Sequence, residues 1–206
     1  MPLASVNASP VIGVWKITES WHEMLDCFKN KALFADEVLK IQSDSRKCEW
    51  LAVRLLVKQL TGTETLVFYK ENGAPFLADN RYHISISHTR GYAAIILSRT
   101  PQPGIDIEYR SERAWKLRTK YLNTQESKLC DPTDCYTVAT LCWCAKETAY
   151  KALQETAIDF IKHLHIEPFT LSSNGIIFLK ELKTDKRETF RIHYRQTDDY
   201  IITWKE

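Results

Sequence analysis

Tyr82-His83-Ile84-Ser85-Ile86, continuing through Thr89 to Tyr92, lines up without a gap against Phe190-Arg191-Ile192-His193-Tyr194, continuing through Thr197 to Tyr200. The offset is 108 residues throughout. Each copy reads as an alternating strand, a short polar turn and a second strand, at 93–97 in one and 201–204 in the other. Working outward, Gly73-Ala74-Pro75-Phe76-Leu77 resembles Gly175-Ile176-Ile177-Phe178-Leu179. Further upstream in each half lies an apolar-periodic helix, near 46–60 and near 137–153. Two hairpins can resemble one another by chance. The fuller reading is an α+β chain of two similar α/β subdomains, 1–102 and 103–206, forming a pseudo-dimer with the ligand site in the cleft between them.

Composition narrows the function classes. The chain has 206 residues, 44% hydrophobic and 26% charged, enough for a real core and against extended disorder. A formal net charge of +2 implies no general pull toward nucleic acid, so anionic ligands must be met by local Lys and Arg. No apolar run approaches the roughly 18 residues that span a bilayer. The first fourteen residues lack a basic segment followed by an apolar one, so no secretory leader and no membrane role are expected. Four of the six cysteines (Cys130, Cys135, Cys142, Cys144) crowd together, but their spacing lacks paired C-x2-C knuckles, and reduced cytoplasmic thiols are the reading preferred over zinc.

Three short segments carry chemistry. In Gly104-Ile105-Asp106-Ile107-Glu108, entered through Pro101 and Pro103, period-two alternation puts Ile105 and Ile107 on one face of a strand. Asp106 and Glu108 share the other, with Cα atoms about 6.5 Å apart. Carboxylates that close repel unless a cation or solvent intervenes, and oxygen ligands favour a hard ion such as Mg²⁺. In Trp143-Cys144-Ala145-Lys146-Glu147-Thr148-Ala149-Tyr150-Lys151, helical spacing aligns Trp143, Glu147 and Lys151 on one ridge, opposite a stripe of Leu141, Cys142, Ala145, Ala149 and Leu153. Glu147 is then a third carboxylate, with Lys146 and Lys151 facing phosphates. In Ile84-Ser85-Ile86-Ser87-His88, Ser87 and His88 end a strand where they can donate to a phosphate. Each segment alone also suits an ordinary surface.

Taken in order, S-H, G-I-D-I-E and W-x-x-K-E-x-x-x-K resemble the signature of the 4′-phosphopantetheinyl transferase superfamily, most closely its longer, pseudo-dimeric branch. The resemblance implies transfer of the 4′-phosphopantetheine arm of coenzyme A to a serine of an apo carrier protein, releasing 3′,5′-adenosine bisphosphate. It implies Mg²⁺ held by Asp106, Glu108 and Glu147, with Glu147 and Lys151 catalytic. Coenzyme A contacts would come from Arg46, Arg54, Ser87, His88, Lys146 and Lys151, with Arg46 and Arg54 eight apart on a basic helix. Many relatives carry Gly-Lys-Pro where this chain has Gly73-Ala74-Pro75, and Lys70 is the candidate substitute. Carrier docking is expected on residues 109–136, where Arg110, Arg113, Lys116, Arg118 and Lys120 accompany Tyr121 and Leu122. The chain would act as a cytoplasmic monomer. The competing expectations are a coenzyme A-binding scaffold without catalysis and a metal-dependent phosphohydrolase.

Overall fold

The computed structural model describes residues 3–8, 10–130 and 134–206, with side chains from residue 10 onward. Residues 1, 2 and 9 of the N-terminal stretch and 131–133 of the expected docking segment lie outside the described residues. The chain divides into two compact units, Met1–Pro101 and Gln102–Glu206.

The first unit runs β1 (Leu3–Ala8), β2 (Val11–Lys16), α1 (Trp21–Asp26), α2 (Ala32–Leu39), α3 (Asp44–Thr61), β3 (Val67–Tyr69), β4 (Pro75–Leu77), β5 (His83–Thr89) and β6 (Tyr92–Ser98). Its six-stranded sheet has the order β1-β2-β6-β5-β4-β3. The long helix α3 stops at Gly62, whose φ of 74° is the left-handed turn a Cβ disfavours. Its apolar stripe, Leu51, Leu55 and Leu56 among others, packs with Trp15, Ile84, Ala93 and Ile95 in one buried cluster. The helix thus closes one face of the sheet.

The second unit runs β7 (Gly104–Tyr109), α4 (Glu112–Leu117), two 3-10 turns (Arg118–Lys120, Glu126–Leu129), α5 (Cys135–Leu153), α6 (Phe160–His163), β8 (Leu164–Ile166), β9 (Asn174–Glu181), β10 (Thr189–Gln196) and β11 (Tyr200–Lys205). Its sheet has the order β7-β11-β10-β9-β8. Without β1, the first sheet has the same plan strand for strand: a leading strand, a helix, then a meander whose last strand returns to pair with the first. The duplicated α+β architecture read from the echo is what the two units have.

Register makes the likeness quantitative. Ser85 pairs with Ile96 across β5 and β6. Moved on by 108 residues these become His193 and Trp204, which pair across β10 and β11. Phe76 pairs with His83, and its counterpart Phe178 pairs with Arg191. Because a slip of one residue would exchange the two faces of a strand, equal register puts equivalent residues on equivalent faces.

Alternation on β7 separates two faces. Ile105 and Ile107 on one are 0% and 1% exposed; on the other Asp106 is 4% exposed and Glu108 is half-buried. The face bearing Asp106 is the one α5 covers. Contact there is so close that a Cβ on Gly104 would stand 2.2 Å from the Thr148 carbonyl oxygen. That obstacle is backbone, so Gly104→Ala must lift the helix from the strand. We expect it to cost about 2–3 kcal/mol or more, read as a lowered urea midpoint.

Candidate active site

The site grows from one helix ridge laid along one strand. Trp143, Glu147 and Lys151 recur every four residues on α5 and meet the carboxylates of β7. The Trp143 indole Nε1–H donates to Glu108 Oε1 at 3.0 Å. Lys151 Nζ donates to Asp106 Oδ1 at 2.7 Å and to the Ile105 carbonyl at 3.1 Å. Glu147 stands between these two contacts on the helix. Burial pushes its carboxyl up to about 7; Asp106 and Glu108 push the same way, and Lys151 opposes them. The two strand carboxylates and the helix carboxylate therefore feel one another.

A cavity of about 100 Å³ adjoins this cluster, lined by Glu108 and Trp143 together with Tyr109, Arg113, Leu117 and Thr140. Trp143 is wedged by Tyr121 and Phe160, with ring centroids 5.1 and 5.6 Å away, so its indole edge is fixed toward Glu108.

Carboxylate oxygens such as those of Asp106, Glu108 and Glu147 are the donors a hard divalent cation prefers, and the charges of Asp106 and Glu108 add to the burial that raises Glu147. Among the described residues, no three His, Cys, Asp or Glu side chains are gathered as a group that could hold a metal ion. Positive charge at Asp106 comes from Lys151.

Two of the expected coenzyme contacts point elsewhere. Lys146 is not turned toward a ligand: it is 0% exposed, and its Nζ donates to Glu126 Oε2 (2.7 Å), the Tyr121 carbonyl (2.7 Å) and the Phe160 carbonyl (2.9 Å). An ammonium has three protons and all three are used. Burial lowers its pKa, and Glu126 works against that. Glu126, 2% exposed, was not foreseen. It also accepts from the backbone N–H groups of Asn123 and Ile166, while Asn123 accepts from the Glu126 N–H. The reciprocal Asn123–Glu126 bonds follow capping-box spacing, a signal present in the sequence. Nothing in that spacing shows that Lys146 completes the cage.

Arg54 is likewise turned inward. It is 3% exposed, its guanidinium carbon lies 3.5 Å from the Trp50 ring centroid, and it donates to the Trp50 and Val67 carbonyls. Burial brings its pKa down to about 10, partly offset by Tyr69. Eight residues on a 3.6-residue helix leave about 80° between side chains, enough to separate a buried arginine from an exposed one. Arg46 is the exposed one, meeting His88 Nε2 at 3.1 Å from its Nη1. Ser87, the strand neighbour of His88, is 7% exposed. Lys70 lies across one tight turn from Ala74, its N–H donating to the Ala74 carbonyl at 2.9 Å.

The expected docking segment is more structured than its charge suggested. Tyr121 and Leu122 are buried, Arg118 stacks on Trp115, and Lys116 pairs with Glu112. Arg113 and Lys120 remain exposed.

A family model of the 4′-phosphopantetheinyl transferase superfamily matches residues 102–205, the whole second unit bar its last residue. No curated protein matches the chain significantly. The match spans half of the chain and contains β7 and α5, and the chain belongs to that superfamily. Its reaction class is the transfer of phosphopantetheine from coenzyme A to a carrier protein. Among the described residues, no helix is long and apolar enough to cross a membrane.

Proposed function

We propose that the chain is a magnesium-dependent transferase of the superfamily's longer branch. It moves 4′-phosphopantetheine from coenzyme A to a serine hydroxyl of an apo acyl or peptidyl carrier protein and releases 3′,5′-adenosine bisphosphate. One observation supports this reading: a single helix ridge meets both strand carboxylates and carries a third, buried carboxyl that is electrostatically coupled to them.

In the reaction, the serine oxygen forms a bond to the β-phosphorus of coenzyme A. The bond from that phosphorus to the bridging oxygen breaks, and its electron pair leaves on the bisphosphate. Glu147 takes the serine proton, and a carboxyl tuned near neutrality is matched to that task. Lys151, part-exposed beside Asp106, offers charge to the pyrophosphate. Trp143 holds Glu108 in one rotamer. Asp106, Glu108 and Glu147 would hold Mg²⁺, whose charge, when bound, stabilises the transferring and leaving oxygens. Arg46 and His88 take the 3′-phosphate. Duplication within one chain supports action as a monomer, and six free thiols support a reducing cytoplasm.

Incubation with coenzyme A, Mg²⁺ and a panel of apo carriers, followed by intact mass, tests the proposal. We expect one phosphopantetheine added to at least one carrier, with loss of the reaction in EDTA. Release of bisphosphate without any acceptor would mark a hydrolase instead. Coenzyme A binding without transfer to any carrier would mark a scaffold.

A further inference from the structure

Within the first unit, the candidate phosphate contacts are already engaged by an acid. Arg46 Nη1 donates to Glu49 Oε2 at 2.8 Å, one turn along α3. The same oxygen lies 3.5 Å from His88 Nδ1, and Arg46 Nη1 lies 3.1 Å from His88 Nε2. The three side chains form a closed triad. Arg46 and His88 face solvent, at 60% and 40% side-chain exposure, while Glu49 is recessed at 15%. The neighbouring Lys47 is turned away, pairing with Asp44 and lying over Trp21.

We infer that Glu49 is a resident counter-charge that sets how tightly Arg46 and His88 hold a nucleotide 3′-phosphomonoester. The inference rests on the reading that these two residues take the 3′-phosphate. An anion arriving from solvent meets the outward donors of Arg46, which has five N–H groups and commits only some of them to the triad. It must then share the guanidinium with a carboxylate fixed beneath it. In a site this exposed the repulsion is modest, so it tunes affinity and does not abolish it.

The 3′-phosphate takes no part in bond making, and it is carried by coenzyme A and by the bisphosphate product alike. A contact to it is uniform binding, which does not accelerate the chemical step. Too firm a hold would instead slow product release. Glu49 relaxes that hold on both.

The test is equilibrium binding of 3′,5′-adenosine bisphosphate and of 5′-AMP, which lacks the 3′-phosphate, to wild type, Glu49→Gln and Arg46→Ala. Glu49→Gln is expected to bind the bisphosphate about three- to tenfold more tightly, with 5′-AMP binding unchanged. Product inhibition during turnover strengthens by the same factor. Arg46→Ala is expected to weaken the bisphosphate and spare 5′-AMP. If Arg46→Ala weakens it but Glu49→Gln leaves it unchanged or weaker, the phosphate site stands and the role of Glu49 is overturned. If Arg46→Ala changes nothing, the phosphate site itself is wrong and Glu49 falls with it.

Discussion

Glu147→Gln protein that remains folded is expected to transfer phosphopantetheine at least about 100-fold more slowly than wild type at saturating coenzyme A and Mg²⁺. The amide keeps the shape of the side chain but can neither take the serine proton nor add negative charge to a cation site. Asp106→Asn should fall comparably, because it removes the charged partner of Lys151 as well as an oxygen proposed to bind the metal. Folded variants with wild-type rates would remove both residues from the chemistry.

The same substitution has a second readout in the metal-free protein. The folded carboxyl titrates near 7 and its ordinary value is 4.5. Between those values the folded chain keeps a proton that the unfolded chain releases, so stability falls as pH rises across the window, by roughly 3 kcal/mol at most. Glu147→Gln has no such proton and should flatten that dependence. Urea unfolding in EDTA at pH 5 and pH 7.5 measures both proteins.

The second large effect is expected at Lys146. Lys146→Met leaves the Glu126 carboxylate buried without its cation and should cost about 3–5 kcal/mol of stability. Adding Glu126→Gln removes the stranded charge while keeping an oxygen for the Asn123 or Ile166 N–H, and should restore part of the loss. A double-mutant cycle by urea unfolding reads the coupling. If Lys146→Met proved stable and instead lost coenzyme A affinity, the inward placement of this lysine would be wrong.

How far the sequence could be read depended on whether partners were local. Trp143, Glu147 and Lys151 share a ridge because helical geometry alone aligns them, and Asp106 and Glu108 share a face because strand geometry does. That these two sets would meet needed no more than the helix packing on that face of the strand. Lys146 and Arg54 were misjudged for the opposite reason. Lysine and arginine are read as solvent-facing unless a partner is known, and the partners are distant or are backbone. Glu126 lies 20 residues upstream of Lys146 in an irregular segment, and the carbonyls of Tyr121 and Phe160 carry no sequence signal. For Arg54 the acceptors are carbonyls and the cushion is Trp50, which a basic-helix reading does not weigh.

The repeated hairpin register allows position-by-position comparison of the two leading strands. Asp106 pairs with Thr203, and the equivalent residue of the first sheet, Ile95, pairs with Gly13. By the same step Glu108 corresponds to Trp15. Where one copy seats Leu56 and Leu60 over a bare glycine, the other seats an ammonium over an acid. The scaffold accepts grease or charge at the same two addresses, so its architecture can outlive its chemistry. A descendant that lost both acids could keep this shape while transferring nothing.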